Sequence, residues 1–438
     1  MRRTGTVQAF FILAILCGWV TPAFASLPRH GLLGTAVAMQ NGRVVVSAIV
    51  PGSSAEAAGV QKGDVIQSVD GTTVSTVEDF LSKVRRPGGT PVTLTLERGT
   101  HPVTLTIVMR SAPDENFLDV QTSYQSVTID GTLRRTLVTS PIGARGKLPA
   151  VFMIGGIGCF SMDTTNTQDG YRNVAHDLSV LGFVVMRLEK SGVGDSQGPP
   201  CASVDFNTEY HSYEIAYAAF LQNPLVDPAR VYIFGHSIGT VVAPRLALEF
   251  PTAGVIVADG VAVNWFEYEL INLQRQEILS GSTPFQVDES VAKKEYCMHR
   301  LLIEKASPEQ ILAVRPDCKD YIQYPAPPAY MQQVAALNIA EAWMSVHVPV
   351  LALYGQADFV TAESDHKRIV DIVNSHQPNS ATLKIIPDMN HYLQIAASQT
   401  AAIKQLTDNT PGAYNKRFSG ELAAWLCRRE RCPALSNN

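Results

Sequence analysis

The amino-acid sequence predicts an α/β protein: a mostly parallel sheet with helices on both faces, preceded by a smaller module that is rich in β-strands. Three observations lead to this prediction. From about residue 119 onward, short apolar runs alternate with segments that carry apolar residues at helical spacing. One such strand, at 231–234, joins a helical segment at 238–250 through a sharp turn flanked by glycines. Residues 30–110 instead contain short strands and turns around one helical segment.

The first 25 residues are typical of a secretory signal peptide. Arg2 and Arg3 precede an apolar run at 9–20, and residues 23–25 (A-F-A) have the small-x-small pattern of a cleavage site. The run is short for a membrane span, although an uncleaved anchor is the alternative. No later stretch is apolar enough for a membrane helix. We therefore expect an exported protein, periplasmic or secreted, without a membrane span after cleavage at Ala25.

Composition narrows the classes of partner and cofactor. The net charge is −5 and no basic stretch occurs, which argues against nucleic-acid binding. No spacing of cysteine and histidine resembles a zinc site, so no metal is expected. Six cysteines follow the signal peptide, and an even number in an exported protein is compatible with disulfides. Sequence does not fix the pairing, but chain order favours Cys159–Cys201, Cys297–Cys318 and Cys427–Cys432.

Residues 30–110 contain predicted strands at 43–50, 65–69, 92–97 and 103–109 and a helix at 77–85. They also carry P-G-S-S-A-E-A-A-G-V at 51–60, K-G-D-V-I at 62–66 and V-D-G at 69–71. These motifs resemble a PDZ domain of the kind found in bacterial periplasmic proteases. Residues 112–116 are polar and include Pro113, and the segment at 111–118 is interpreted as a linker to the next domain.

The resemblance to a PDZ domain implies a binding site for a protein C-terminus. A peptide would pair with an exposed strand edge while loop N–H groups hold its carboxylate. The resemblance assigns that loop to Gly31, Leu32, Leu33 and Gly34. A PDZ fold that packs against its neighbour and binds no peptide is the alternative.

The second domain follows as an ordered series of strands and helices. An antiparallel hairpin is expected at 124–129 and 133–140, around the Asp-Gly turn at 130–131. Apolar runs then predict buried strands at 150–154, 183–188, 231–234, 254–258, 348–354 and 382–386. Helical spacing predicts helices at 171–181, 208–222, 238–250, 362–375 and 414–428.

The turn at 235–239 reads G-H-S-I-G and provides the candidate nucleophile. A strand that turns sharply into a helix holds its serine in a strained conformation, and the flanking glycines avoid clashes there. Ser237 is thereby exposed at the carboxyl end of its strand, above the positive end of the helix dipole. With this turn, the pattern resembles an α/β-hydrolase over about residues 119–431. The resemblance implies an eight-stranded sheet with a helical cap inserted at about 260–346.

A serine hydroxyl needs a histidine base, which in turn needs an orienting carboxylate. The chain order of the α/β-hydrolase family is serine, acid, histidine. Asp358 follows the strand at 348–354 and His391 follows the strand at 382–386, at the family's positions for acid and base. Asp259, at the end of the strand at 254–258, is the alternative acid.

The oxyanion of an acyl-transfer reaction needs two N–H donors. One is expected from Ile238, which follows the nucleophile. By resemblance the other is Ile157, in the G-G-I-G loop at 155–158, with Gly156 or Gly158 as alternatives. The turn at 190–196 (K-S-G-V-G-D-S) resembles the family turn that shapes the floor of the site, and we assign it a structural role.

The resemblance implies an exported serine hydrolase that cleaves carboxylic esters through an acyl-enzyme and needs no cofactor. Glu267 and Glu269 lie early in the cap, where peptidases of this superfamily hold a substrate amine, although a solvated helix face explains such charges more simply. A serine peptidase that acts on short peptides is therefore the second hypothesis. A catalytically inactive binding protein is the third.

Overall fold

The computed structural model describes residues 27–430 and residue 432. The predicted signal peptide at 1–25 and residue 431 lie outside the described residues. Between residues 27 and 430, no helix is long and apolar enough to cross a membrane.

The first part of the described chain forms the predicted β-rich module. Its elements are β1 (Gly31–Leu32), β2 (Thr35–Gln40), β3 (Arg43–Ile49), α1 (Ser54–Ala57), β4 (Val65–Val69), β5 (Thr72–Thr73), α2 (Val77–Val84), β6 (Pro91–Arg98), β7 (His101–Val108) and β8 (Arg110–Ser111). The main sheet has the order β2-β3-β4-β6-β7, with β5 beside β4. Strand β2 is an edge strand, and α2 lies against it. Strand β1 pairs with β8, so the first and last strands of the module lie side by side.

The second part is built on an eight-stranded sheet flanked by helices. Its elements are β9 (Val120–Ile129), β10 (Thr132–Pro141), β11 (Leu148–Ile154), α3 (Gly170–Val180), β12 (Val184–Leu188), α4 (Phe206–Leu221), β13 (Val226–His236), α5 (Gly239–Glu249), β14 (Gly254–Ala258), the cap helices α6 (Trp265–Leu279), α7 (Pro284–Met298), α8 (Pro308–Val314), α9 (Pro328–Ala335) and α10 (Ile339–Met344), and then β15 (Val350–Gly355), α11 (Glu363–His376), β16 (Ala381–Ile386), α12 (Gln399–Thr407) and α13 (Lys416–Cys427).

The strand order is β16-β15-β14-β13-β11-β12-β10-β9. Strands β11 to β16 are mutually parallel, and the hairpin β9–β10 joins antiparallel to β12. Every residue of β12, β14 and β15 is buried, as expected for parallel strands covered on both faces. Helices α4, α5 and α11 cover one face and α3 and α13 cover the other. Because β11 to β16 are parallel, the carboxyl ends of these strands all lie at the same edge of the sheet.

The cap differs in detail from the sequence prediction. Within the cap, helical spacing in the sequence predicts helices near 267–279, 291–305 and 308–314. The second of these begins earlier in the structure, at Pro284, because Thr283 and Gln286 form a capping box there. The chain then continues as a short π-helix at His299–Ile303. Helices α9, α10 and α12 were absent from the sequence prediction. They are only six to nine residues long, which leaves too few turns for a clear apolar period.

Three disulfides form in the pairs that chain order favours. Cys159–Cys201 joins the loop after β11 to the segment after β12. Cys297–Cys318 lies inside the cap, and Cys427–Cys432 closes the end of α13.

The segment at 111–118 buries Ala112 and Glu115 and leaves most of its other residues exposed. Glu115 is only 7% exposed, and its two carboxylate oxygens accept hydrogen bonds from the Arg187 guanidinium at 2.7 and 2.6 Å. A buried arginine on β12 therefore anchors this segment, a long-range contact that local composition does not indicate.

The small module also contacts the turn at 190–196 directly. The Arg85 guanidinium, just after α2, donates to the carbonyls of Gly192, Gly194 and Ser196. Asp195 in the same turn accepts hydrogen bonds from Arg29 at 2.7 Å and from the His30 N–H at 2.8 Å. Hydrogen bonds from the small module thus hold the turn at 190–196 in place.

Candidate active site

The serine turn has the geometry that the G-x-S-x-G pattern predicts. Ser237 lies between β13 and α5 with φ of 56°, a left-handed conformation that is costly for a serine. A Cβ on Gly235 would lie 2.3 Å from the Gly239 carbonyl oxygen, and one on Gly239 would lie 2.7 Å from the Ile154 carbonyl oxygen. Glycine is therefore required on both sides of the serine.

Three predicted site residues meet in one hydrogen-bonded series. His391 Nε2 lies 3.1 Å from Ser237 Oγ, and His391 Nδ1 lies 3.0 Å from Asp358 Oδ2. They come from the loops after β13, β15 and β16, so the common edge of the parallel strands brings them together. This arrangement can activate the serine as a nucleophile.

The environment keeps Asp358 ionised. Burial alone would raise the pKa of the Asp358 carboxyl, but the charge and hydrogen bond of His391, together with hydrogen bonds from Thr361, outweigh burial and lower it. The carboxylate also accepts from the N–H of Val360 at 2.6 Å and that of Thr361 at 3.1 Å. It is therefore a fixed anion behind the imidazole.

Asp259, the alternative acid, has a different environment. It is fully buried, and its Oδ1 accepts from the Gly355 N–H at 2.8 Å. Its Oδ2 has no hydrogen-bond partner among the described residues. Burial and the nearby Asp358 charge raise the pKa of Asp259 well above its ordinary value. It is Asp358, not Asp259, that contacts the imidazole.

A second hydrogen-bond series, which sequence reasoning missed, links the 155–158 loop to the histidine loop. The Gly156 N–H donates to Tyr171 Oη at 2.9 Å, and Tyr171 Oη lies 2.7 Å from His236 Nδ1. His236 Nε2 lies 2.8 Å from the carbonyl oxygen of His391 and therefore donates its proton to it. Burial, and then the His391 charge, lower the pKa of His236 to about 3, so this imidazole is neutral.

This series bears on the candidate oxyanion donors. Because Tyr171 already accepts from the Gly156 N–H, that N–H is not free for a ligand. The N–H groups of Ile157 and Ile238 donate to no protein acceptor in the part of the chain that the structure describes. Ile157 lines the same cavity as Ser237.

The cavity above Ser237 has a volume of about 780 Å³ and lies between the sheet edge and the cap. Six aromatic side chains contribute to its walls: Phe160, Tyr171, Trp265, Tyr268, Tyr324 and Tyr392. Such a site suits an apolar group next to a reactive carbonyl. No cluster of metal-ligating side chains occurs within residues 27–430.

The two cap acids occupy different places. Glu267 is on the exposed face of α6, whereas Glu269 lines the cavity. The Glu269 carboxylate forms an ion pair with Lys294 at 2.6 Å, and both side chains are nearly buried. Glu269 is therefore already neutralised by a cation of the cap itself.

The predicted peptide-binding loop of the small module is partly occupied by its own fold. The Gly31 N–H donates to the Arg86 carbonyl at 2.8 Å, and the Leu33 carbonyl accepts from the Ala55 N–H at 2.9 Å. Leu33 itself is buried in the core of the module, and Leu32 is exposed. The outer edge of β2 begins directly after Gly34.

The buried carboxyl group of Glu189 is expected to make the stability of the fold depend on pH. This carboxyl is 1% exposed, and burial raises its pKa from 4.5 to about 7 despite hydrogen bonds from Ser161 and Met162. Between these values the folded state holds a proton that the unfolded state has lost, so the free energy of unfolding falls as pH rises through this window. The loss amounts to about 3 kcal/mol.

We therefore compare the free energy of unfolding of Glu189→Gln with that of the wild-type protein. We expect this difference to favour the variant by about 2–3 kcal/mol more at about pH 8 than at about pH 5. Urea unfolding of both proteins at the two pH values measures this difference. A difference that does not change with pH would contradict the raised pKa of Glu189.

Family models match both parts of the chain, and several known proteins are similar to parts of it. A model of the PDZ domain matches residues 45–98. Esterase EstD of Thermotoga maritima is 22% identical over 69% of this chain and 67% of its own length. A carboxy-terminal-processing protease of Bartonella bacilliformis is 39% identical over 16% of this chain and 17% of its own length. The solved structure of Est1E from Butyrivibrio proteoclasticus with ferulic acid covers 65% of this chain and 98% of its own, at 13% identity and a TM-score of 0.42. A model of the alpha/beta hydrolase family matches residues 158–403, more than half of the sequence, and the chain therefore belongs to that family.

Proposed function

We propose that this protein is an exported serine hydrolase that cleaves carboxylic esters. The observation that carries the proposal is the series Ser237–His391–Asp358, whose serine and histidine line a cavity with six aromatic side chains in its walls. In the first step Ser237 Oγ forms a bond to the ester carbonyl carbon while His391 takes the hydroxyl proton. His391 then gives that proton to the departing alcohol, and the acyl group stays on Ser237.

Water completes the reaction by the same route. His391 takes a proton from water, the hydroxide oxygen bonds to the acyl carbon, and the proton returns to Ser237 as the acid leaves. We assign the oxyanion contacts of both steps to the N–H groups of Ile157 and Ile238, which have no protein acceptor within residues 27–430. The sequence similarity to an esterase supports this reaction class.

The Glu269–Lys294 pair favours an ester over a short peptide. A peptidase that recognises a free amine needs a carboxylate that is not already paired. Glu269 is neutralised by Lys294, and Glu267 lies outside the cavity. Neither of the two cap acids therefore offers a substrate amine an unpaired carboxylate in the cavity.

The module is proposed to bind a protein C-terminus along the free edge of β2, with the loop of Gly31, Leu32, Leu33 and Gly34 at its carboxylate end. Three disulfides support export through an oxidising compartment, in line with the predicted signal peptide.

A comparison of ester and amide substrates tests the reaction class. The chain from Ser26, with Ser237→Ala as its control, is assayed on p-nitrophenyl esters of increasing acyl length and on aminoacyl p-nitroanilides. We expect ester turnover that disappears in Ser237→Ala, and no amide turnover. Amide turnover would instead favour the peptidase. Failure on both substrate series would contradict a general esterase.

A further inference from the structure

Lys190 is a buried cation beside the candidate active site. Its side chain is 7% exposed, and its Nζ donates to the Gly156 carbonyl oxygen at 2.8 Å. Nζ also forms an ion pair with Glu209 at 3.1 Å and lies 5.7 Å from the centre of the Phe160 ring. A lysine is rarely so deeply buried unless it is paired, and here one of its partners is a main-chain carbonyl.

The carbonyl that Lys190 contacts belongs to the same peptide group as the Ile157 N–H. A peptide group is planar and trans, so its C=O and N–H point in opposite directions. A side chain that fixes the Gly156 carbonyl therefore also fixes the direction of the Ile157 N–H. This peptide group borders the nucleophile, because a Cβ on Gly156 would lie 3.4 Å from Ser237 Cβ.

The charge of Lys190 has a second consequence. A cation at the oxygen end of a peptide group draws electron density toward that oxygen and makes the N–H a stronger donor. Hydrogen bonds in which one partner is charged are shorter and stronger than neutral ones, so this contact resists rotation of the peptide. The preceding peptide is held from the other side, since its Gly156 N–H donates to Tyr171.

We propose that Lys190 is a positioning residue that orients and polarises the Gly156–Ile157 peptide so that the Ile157 N–H can stabilise the oxyanion. This inference rests on the proposed hydrolase function and deepens it. It also gives the turn at 190–196 a role beyond shaping the floor of the site. The Lys190 contact connects the loop at 155–158 to the turn at 190–196. The Cys159–Cys201 disulfide and the hydrogen bond from Arg85 to the Gly194 carbonyl restrain these two segments further.

The test replaces Lys190 by Met, which keeps an unbranched apolar side chain but removes the charge and the donor. Because a lost oxyanion donor costs about 10²–10³ in kcat and Lys190 acts on that donor indirectly, we expect kcat on a p-nitrophenyl ester to fall about 10- to 100-fold. KM should stay within about twofold, since the ground-state carbonyl gains little from this N–H. Lys190→Arg, which keeps the charge, should recover part of the loss.

A boronic acid distinguishes positioning from a loss of structure. It forms a tetrahedral, anionic adduct with the serine and reports on the oxyanion contacts, whereas the product carboxylic acid reports on binding in the cavity. We expect Lys190→Met to lose boronic-acid affinity by the same factor as kcat and to keep its affinity for the product. Lys367→Met, on an exposed ion pair, is the matched lysine control.

Two results would overturn the proposal. One is a Lys190→Met enzyme whose kcat equals that of the wild-type protein. The other is a fall in kcat without any loss of boronic-acid affinity. If Lys190→Met fails to fold because Glu209 is left unpaired, Lys190→Met/Glu209→Gln removes both charges and is measured in its place. Should Ser237→Ala keep full ester turnover, the proposed hydrolase function itself fails, a result that is separate from any effect at Lys190.

Discussion

Replacement of Asp358 by Asn is expected to lower kcat/KM for esters about 10⁴-fold, while the fold stays intact. The Asp358 carboxylate accepts from His391 Nδ1, which leaves His391 Nε2 free of a proton and able to accept one from Ser237. An asparagine can instead donate to Nδ1 and so favour the tautomer with its proton on Nε2. That imidazole cannot act as a base toward the serine. Initial rates on p-nitrophenyl esters, with circular dichroism of both proteins, measure the effect.

Asp259→Asn is the matched control. Asp259 lies at the neighbouring strand end, and burial together with the Asp358 charge raises its pKa well above its ordinary value, which favours the protonated form. Asparagine has nearly the shape of a protonated aspartate, and its carbonyl oxygen can still accept from the Gly355 N–H. We expect kcat/KM within about threefold of the wild-type value, because it is Asp358 and not Asp259 that contacts the His391 imidazole. Equal losses in the two variants would contradict the assignment of Asp358 as the acid.

Much of the fold was predictable because it depends on local patterns. Parallel strands are buried on both faces, so β14 and β15 appear in the sequence as continuous apolar runs, and the run of β12 is interrupted only by Arg187. The Asp130-Gly131 turn joins β9 to β10 through two residues with positive φ, which Asp and Gly adopt readily. Once the strands are ordered, their carboxyl ends bring the loops of Ser237, Asp358 and His391 together.

The supporting contacts of the site were not predictable in the same way. Tyr171 and Lys190 reach Gly156 from 15 and 34 positions away in the chain. Neither belongs to a periodic pattern that identifies its partner. His236 lies inside the G-H-S-I-G turn, yet its contact with the His391 carbonyl spans 155 positions. Such contacts depend on how loops meet at the sheet edge, and a single sequence does not contain that information.

The segment at 111–118 is also held by a contact between residues that are distant in the chain. The second prediction with a large expected effect concerns this contact. We expect Glu115→Ala to lower the free energy of unfolding by about 3–5 kcal/mol, because it leaves the Arg187 guanidinium buried without its carboxylate. Both side chains are fully buried, and Arg187 lies within the sheet on β12. Urea unfolding followed by tryptophan fluorescence measures the change, since Trp425 lies in the core on the same face of the sheet as Val185.

The double variant Glu115→Gln/Arg187→Met separates an unpaired charge from a loss of packing. Removal of both charges of a buried pair is often nearly neutral, because the cost of desolvating the two ions disappears with their attraction. We therefore expect the double variant to be more stable than Glu115→Ala, although Met cannot replace the Arg187 hydrogen bond to the Met162 carbonyl. If Glu115→Ala is as stable as the natural protein, the 111–118 segment does not depend on this ion pair.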